Sequence, residues 1–236
     1  DTVAKTAGFL FNDAAAGQTL SFGASWVAAA AYALQIYYDF SVYSDMAIGL
    51  GSMFGLSIPV NFNAPYLAVS IRDFWRRWHI TLSRFLRDYL YIPMGGSWFG
   101  VPRQMTALII TMLLGGLWHG AGWTFVVWGG LHGLALVANH IWGKTGVSLP
   151  TSFGWILTLI FVVFGWVIFR ADNMGTAVAI IRSMVGMNGV SFDLPDIMPP
   201  IRIFYFALPA FIGPTSQRLV EHWLRPRPIY AAVVAC

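Results

Sequence analysis

The segments AGWTFVVWGGLHGLALVANHIW (121–142) and SFGWILTLIFVVFGWVIF (152–169) are long apolar stretches, and the second contains no charged residue. A helix that crosses a bilayer needs about 20 predominantly apolar residues. Both segments therefore predict transmembrane helices. Less regular apolar stretches at 22–38, 104–118 and 201–213 predict further spans, about five in all. The expected fold class is all-α, a polytopic transmembrane helical protein.

The composition also favours a membrane protein. The 236 residues are 57% hydrophobic and only 10% charged, whereas a soluble domain has about 25% charged residues. Eleven tryptophans and 16% aromatic residues fit side chains that sit at the level of the lipid headgroups. The lipid bilayer is therefore an expected partner.

The net charge of +4 does not indicate nucleic-acid binding. Five arginines lie close together between apolar segments: Arg72, Arg76, Arg77, Arg84 and Arg87. The positive-inside rule places such a cluster at the cytoplasmic face of a membrane. We therefore expect no nucleic-acid partner.

Residues 69–91 have the periodicity of one amphipathic helix. Apolar residues recur at spacings of three and four, and the arginines occupy the rest of the circumference. Such a helix lies in the membrane interface or lines a cavity enclosed by protein. Prolines at 59, 65 and 93 predict irregular, re-entrant backbone on both sides of it.

The two ends of the chain predict a fragment of a longer protein. The chain begins at Asp1 without a Met or a signal peptide, and it stops within an apolar run at Cys236. A lone cysteine excludes a disulfide within the chain. We expect one partial domain over 1–236, with Pro209 and Pro214 interrupting the last span.

His119 is the leading candidate for catalysis. It stands in GGLWHGAG (115–122), at the end of one apolar span and near the start of the next. An ionisable residue in a membrane segment is costly and is by default a functional hypothesis. Histidine serves as a general base near neutral pH without a large shift of its pKa. The alternative is an interfacial, hydrogen-bonded histidine beside the anchoring Trp118.

Three other histidines are weaker candidates. His79 is expected to face the apolar side of the amphipathic helix, either as a satisfied core histidine or as a partner in catalysis. His132 and His140 lie eight residues apart in the span at 121–142. Structural roles are expected for both.

The segment YYDFSVYSD (37–45) brings two carboxylates into an apolar stretch. The spacing of Asp39 and Asp45 places them on different faces of a helix, so a carboxylate pair that shares one substrate atom is not indicated. They are expected either to bond neighbouring helices or, in the alternative, to include one carboxylate that orients a catalytic imidazole, and both are counted among the expected substrate-binding residues. Serine-hydrolase, phosphate-loop and zinc-peptidase motifs are missing, and no metal site is expected.

An ordered series of motifs resembles the membrane-bound O-acyltransferase family. The motifs are YYDFSVYSDMAIGLG (37–51), PVNFNAPY (59–66), SIRDFWRRWHITLSRFLRDYLYIPMGG (70–96) and GLWHGAGWTFVVWGGLHG (116–133). They form a motif core over 37–133. Within the family, the resemblance leans to members that acetylate polysaccharides such as alginate.

The resemblance implies a multi-pass protein of the cell inner membrane, in which His119 and His79 face an acyl-transfer tunnel. His119 is expected to be the base, and His79 to polarise the acyl carbonyl or orient the donor.

Side chains beside the two histidines are expected to form the rest of this site. Trp75, Trp78 and Trp118 would wall it, and Arg76 and Arg77 would attract the phosphates of coenzyme A.

The resemblance also implies the reaction. Acetyl-CoA is the expected donor, with no bound cofactor. An exported polysaccharide is the expected acceptor, reached directly or through an extracytoplasmic acetyltransferase partner. Alternatives within the family are D-alanylation of teichoic acid or acylation of a lipid or protein. Outside it, a transporter with a histidine and aspartate relay and a non-catalytic scaffold stay open.

Overall fold

Nine α-helices and no β-strand form within the described residues of the computed structural model, which are 2–194, 200–212 and 215–216. The helices are α1 (Thr2–Ala15), α2 (Phe22–Met53), α3 (Ile71–Arg77), α4 (Ile80–Leu86), α5 (Val101–His119), α6 (Trp123–Trp142), α7 (Thr151–Arg170), α8 (Met174–Met184) and α9 (Pro200–Ile212). A 3₁₀ turn spans Pro65–Leu67, and a π-helical turn spans Arg87–Tyr91. The all-α prediction is confirmed.

Short polar side chains begin three of these helices. Ser21, Ser70 and Asn173 each accept a hydrogen bond from the backbone N–H three residues on, at 3.0 to 3.1 Å. These caps satisfy N–H groups that the first helical turn leaves without a partner. The start of α3 is reinforced, because Asp73 Oδ2 accepts a hydrogen bond from the N–H of Val69 at 3.2 Å.

The predicted spans lie in helices, with some changes of bounds. Helices α6 and α7 match the predictions at 121–142 and 152–169, and both are long and apolar enough to cross a membrane. Helix α2 runs well beyond the predicted 22–38, because it continues through the segment that holds Asp39 and Asp45. In length and composition, the other described helices do not meet the same criterion for a span.

The prediction that Pro209 interrupts the last span is wrong, because Pro209 lies inside α9. Pro214 and Cys236 lie outside the described residues. The irregular backbone predicted near Pro59 is confirmed, since residues 56–64 form no helix.

The prediction of one amphipathic helix over 69–91 is wrong. The chain forms two seven-residue helices, α3 and α4, with Trp78 and His79 between them. His79 has a φ of 42°, in the left-handed region that the β-carbon of an L-residue disfavours. The backbone of Asn61 stabilises this break, because its carbonyl accepts a hydrogen bond from the N–H of Ile80 at 3.0 Å.

Glycines allow α5 and α6 to pack backbone against backbone. A β-carbon on Gly116 would lie 2.3 Å from the carbonyl oxygen of Phe125, and one on Gly129 would lie 2.3 Å from that of Met112. Both distances are far below van der Waals contact. Small residues are typical of closely packed helices in membranes. This approach fixes where α5 ends, and therefore where His119 lies.

The buried core lies between α1, α2, α7 and α8 and continues into an aromatic group beside α3 and α6. Trp128, Trp166 and Phe74 are among its largest fully buried side chains. Because α3, α6 and α7 each contribute rings to this group, it joins the broken segment to the long apolar helices.

We predict that Gly129→Ala destabilises the protein, because the added methyl group forces α5 and α6 apart. Overpacking of this kind costs about 1–3 kcal/mol, measured as reduced membrane abundance and a lower melting temperature in detergent. Gly49→Ala is the matched control, since a β-carbon there meets no atom within 4 Å. Equal behaviour of the two variants would show that the glycine contact does not limit packing.

Candidate functional site

His119 is the last residue of α5, where the chain reverses into α6. Only residues 120–122 separate the two helices, and a β-carbon on Gly120 would lie 2.6 Å from the ring of Phe125. The short connection therefore packs tightly against the first turn of α6. This geometry holds the imidazole of His119 at a helix junction that is partly open to its surroundings.

Aromatic rings enclose the imidazole of His119. Its ring centroid lies 5.0 Å from Trp118, 5.1 Å from Phe169, 5.5 Å from Trp128 and 6.5 Å from Phe125. Within the described part of the chain, no hydrogen bond to its ring nitrogens is found. Packing alone therefore orients His119 among these residues, and both nitrogens stay available for chemistry.

His79 lies at the break between α3 and α4, with its ring edge-on to Phe40 at 4.7 Å. Its Nδ1 is 3.4 Å from Asn61 Oδ1. That oxygen also accepts hydrogen bonds from the N–H of Thr81 at 3.1 Å and the hydroxyl of Thr81 at 2.6 Å. Since Oδ1 is an acceptor, the neutral ring carries its proton on Nδ1. The lone pair of Nε2 is then free.

The environment of His79 favours its neutral form. Burial, followed by the positive charge of protonated His119, lowers the pKa of His79 to about 4 from its usual 6.5. Desolvation disfavours the charged imidazolium, and a nearby like charge adds to the effect. His79 is therefore neutral at neutral pH, and it is close enough to His119 for the two charges to interact.

The three predicted site tryptophans lie in different surroundings. Trp78 is 4% exposed and packs on Trp166 at 4.8 Å, so it belongs to the core. Trp75 is half-buried and donates a hydrogen bond to His132. Trp118 is 65% exposed and contacts His119. They do not form one wall.

A continuous series of ring contacts joins the two candidate histidines. Its members, in order from His79 to His119, are Phe40, Phe62, Trp78, Trp166 and Phe169. Successive ring centroids are 4.7 to 5.6 Å apart. The two imidazoles therefore lie on one aromatic group contributed by α2, α5, α7 and the segment around α3.

A cavity of about 670 Å³ is lined in part by Trp75. Four of the five clustered arginines line it, and no carboxylate among the described residues does. The arginines and polar residues are Arg72, Arg76, Arg84, Arg87, Ser83, Tyr91, Ser97, Gln104, Thr111 and His140. Apolar side chains form the rest of the lining: Ile80, Leu86, Leu108, Met112 and Leu136. We call it the arginine cavity. Neither His79 nor His119 lines it, so Trp75 is the link between this cavity and the aromatic group.

Two buried polar atoms at the arginine cavity have no partner among the described residues. They are the hydroxyl of Thr111, a side chain that is 5% exposed, and Nε2 of His140. A buried polar group without a hydrogen bond is costly. The cavity is therefore suited to a polar, anionic molecule.

Arg76 and Arg77 do not act as a pair. Arg76 is exposed and lines the arginine cavity. Arg77 instead bonds Asp73 Oδ1 at 2.9 Å and the carbonyl of Asn63 at 3.5 Å. Adjacent residues of a helix point about 100° apart, so one arginine faces the cavity and the other secures α3.

Asp39 and Asp45 lie on different faces of α2, as their spacing predicts. Asp39 is exposed and lines two small cavities together with Gln35. Asp45 Oδ2 accepts a hydrogen bond from the hydroxyl of Ser216 at 2.5 Å. No hydrogen bond or ion pair between either carboxylate and a candidate histidine is found in the described residues.

Sequence reasoning missed the role of Asn61, and it gave His132 a structural role without identifying its partner. Asn61 fixes the tautomer of His79 from 18 positions away, and His132 bonds Trp75 from 57 positions away. The signal that marks Asn61 is its place between two prolines before the RWH motif. For His132 it is a histidine within an otherwise apolar span.

Comparison with known proteins gives the family. The sequence profile of the membrane-bound O-acyltransferase family matches residues 9–181. The chain is 48% identical to the peptidoglycan O-acetyltransferase of Helicobacter pylori over 195 residues, which are 81% of this chain and 36% of that protein. It is 48% identical to the probable alginate O-acetylase AlgI of Pseudomonas aeruginosa over 178 residues, 75% of this chain and 34% of that protein.

A more distant relative is the teichoic acid D-alanyltransferase of Bacillus subtilis, 29% identical over 153 residues, 58% of this chain and 39% of that protein. The chain spans about a third of the length of the curated relatives it matches, between 34% and 39% for these three. The profile match covers most of the chain and includes both candidate histidines. The resemblance seen in the motifs is therefore confirmed, and the chain belongs to the membrane-bound O-acyltransferase family, a family of membrane proteins.

Proposed function

We propose that this protein is a polytopic O-acyltransferase of the cell inner membrane that transfers acetyl groups from acetyl-CoA towards hydroxyls of an exported polysaccharide. The observation that carries the proposal is the position of His119 at the α5–α6 junction, enclosed by aromatic rings with its nitrogens free. Family membership and two relatives named for O-acetylation support the reaction type.

His119 is the general base in this proposal. It takes the proton of an acceptor hydroxyl, whose oxygen attacks the thioester carbonyl. The new C–O bond forms as the C–S bond breaks, and the proton returns to the departing thiolate of coenzyme A. General-base assistance supplies about 10² to 10⁴ in rate. The aromatic enclosure would exclude water, which protects the thioester from hydrolysis.

His79 has an orienting role in this proposal. A neutral ring with its proton on Nδ1 offers a lone pair at Nε2. Nε2 therefore accepts a hydrogen bond rather than polarising a carbonyl. This supports positioning of the acceptor or of the donor's pantetheine amides over carbonyl activation.

The arginine cavity is the proposed site for the phosphates of acetyl-CoA. Arginine binds phosphate through several charge-assisted hydrogen bonds, and Arg72, Arg76 and Arg84 lie in the cavity without an ion-pair partner among the described residues. Trp75 would then separate the charged end of the donor from its acyl end. No bound cofactor is proposed.

Two acceptor routes fit this site. In the first, the acetyl group passes to the polysaccharide, directly or through an extracytoplasmic acetyltransferase partner. In the second, the group is D-alanyl and the acceptor is teichoic acid, which the relative named for D-alanyl transfer supports. Higher identity to the two O-acetylating relatives favours the first.

We predict that His119→Ala lowers acetyl incorporation into cell-surface polysaccharide by about 10² or more, because the general base is lost. Transfer of radiolabelled acetyl groups from acetyl-CoA in membranes measures the effect, with abundance determined in parallel. Trp26→Phe is the control, because Trp26 lies in the first turns of α2 and bonds the carbonyl of Met184 rather than a residue of the site. Near-normal acetylation by His119→Ala would refute the assignment.

A second prediction concerns the pH dependence that Asn61 controls. Asn61→Asp places a carboxylate beside Nδ1 of His79, which raises the pKa of His79 from about 4. Nε2 then becomes protonated and loses its lone pair as the pH falls, so the acid limb of acetyl transfer should move to higher pH in the variant than in the wild type.

The matched control for Asn61→Asp is Asn63→Asp, which adds the same charge two residues away on an exposed side chain. This control should keep the acid limb of the wild type. Identical pH profiles for all three proteins would contradict the orienting role of Nε2.

A third prediction concerns the arginine cavity. Arg76→Ala should raise the KM for acetyl-CoA about tenfold with a smaller change in kcat, because a charge-assisted hydrogen bond to phosphate is lost. Arg182→Ala removes the same charge from the exposed face of α8 and should leave KM unchanged. Equal KM values for both variants would exclude the cavity as the phosphate site.

A further inference from the structure

His132 is a buried polar residue in the middle of α6, and it is only 1% exposed. Its ring lies 4.8 Å from Trp128, 5.1 Å from Phe161, 5.3 Å from Trp75 and 6.1 Å from Phe74. An imidazole in such apolar surroundings is costly unless it is hydrogen-bonded. An aliphatic side chain would fill this space without that cost, so the histidine needs a specific reason.

The hydrogen bond from Trp75 provides that reason. The indole Nε1–H of Trp75 donates to Nδ1 of His132 at 3.2 Å. Because the indole nitrogen is only a donor, Nδ1 is the acceptor and the neutral imidazole carries its proton on Nε2. The bond fixes both the plane of the His132 ring and the position of Trp75, which also lines the arginine cavity.

Helix α7 closes the remaining side of the His132 ring. A β-carbon on Gly165 would lie 3.1 Å from Nε2 of His132 and 3.5 Å from Nε1 of Trp128. The missing side chain at Gly165 therefore allows α7 to contact both rings directly. His132 is held between a hydrogen bond on one edge and a helix backbone on the other.

Trp128 transmits this position to His119. Trp128 and His132 are four residues apart and share one face of α6. The indole nitrogen of Trp128 is buried without a partner among the described residues, so packing alone sets its orientation. Its ring contacts His132 at 4.8 Å and meets His119 edge-on at 5.5 Å, with an angle of 89° between the planes.

We infer that His132 is a positioning residue, which orients the proposed base His119 through Trp128 and at the same time fixes Trp75 at the wall of the arginine cavity. This inference rests on the proposed function. His132 contacts no substrate. Among the described residues, its hydrogen bond to Trp75 is the one side-chain hydrogen bond found for Trp75, Trp128 and His119.

The test compares four single variants and one double variant of the intact protein in membranes. His132→Phe keeps a ring but removes the acceptor, and His132→Asn keeps an acceptor near Nδ1. Trp75→Phe removes the donor. Trp26→Phe is the matched control, because it also removes an indole hydrogen bond, here to the carbonyl of Met184 at 3.0 Å, at a distance from the site.

We expect His132→Phe to lower kcat roughly 10- to 100-fold, since a small displacement of a catalytic group has effects of this size. His132→Asn should recover most of the activity, and Trp26→Phe should retain it. The double variant of Trp75→Phe and His132→Phe should lose less kcat than the product of the two single losses, because both substitutions remove the same bond. A loss of kcat in the double variant equal to the product of the two single losses would overturn the inference.

A measurement that needs no activity completes the test. Diethyl pyrocarbonate labels accessible neutral imidazoles, and mass spectrometry reads the labelling rate of His119. His132→Phe should change this rate roughly threefold or more, and Trp26→Phe should not. If His132→Phe does not accumulate in membranes, the labelling rate of His119 is measured in Trp75→Phe instead.

The outcomes separate this inference from the proposed function. A wild-type protein that transfers no acetyl group refutes the function, while the labelling rate of His119 still decides the positioning role. A normal labelling rate in His132→Phe and Trp75→Phe overturns the inference, whether or not kcat falls, because the effect then does not pass through His119.

Discussion

The contact between the backbones of α5 and α6 is the constraint on which the site depends. Within a bilayer the hydrophobic effect does not drive helices together, because the lipid tails are as apolar as the side chains. Close van der Waals packing must therefore hold the helices together. Gly116 and Gly129 permit that approach, since a β-carbon on either would lie 2.3 Å from a carbonyl oxygen of the other helix. The short reversal at 120–122 follows from it. His119 then meets Trp128 directly, because no side chain separates the helices at this point.

The break at His79 is the second constraint, and it explains why the amphipathic prediction failed. Each half of 69–91 keeps helical periodicity, so the pattern continues through the break and gives no local sign of it. A left-handed conformation at a non-glycine residue costs about 1–3 kcal/mol. The carbonyl of Asn61 and its side-chain oxygen accept three hydrogen bonds from residues 80 and 81, each worth about 1 kcal/mol. These interactions come from outside the helix.

The difference between local pattern and distant contacts also explains which features of the candidate site could be predicted from the sequence. His119 and His79 could be singled out as candidates, because an ionisable residue in an apolar segment is unusual wherever it folds. The roles of Asn61 and His132 depend on partners 18 and 57 positions away, and local periodicity carries no information about such pairs. Arg76 and Arg77 are neighbours in the sequence, yet only Arg76 reaches the arginine cavity. Sequence proximity grouped them, and helix geometry separates them.

The arrangement of charge and aromatic rings suits the proposed transfer. A thioester donor has an anionic end that needs cations and an acyl end that must be kept from water. The arginine cavity offers guanidinium groups and unpaired polar atoms, while His119 lies among rings. Trp75 contacts both regions, since it lines the cavity and bonds His132. Placing the charges beyond this tryptophan leaves the base in apolar surroundings, where a positive charge on His119 is costly and its proton is readily returned to the leaving group.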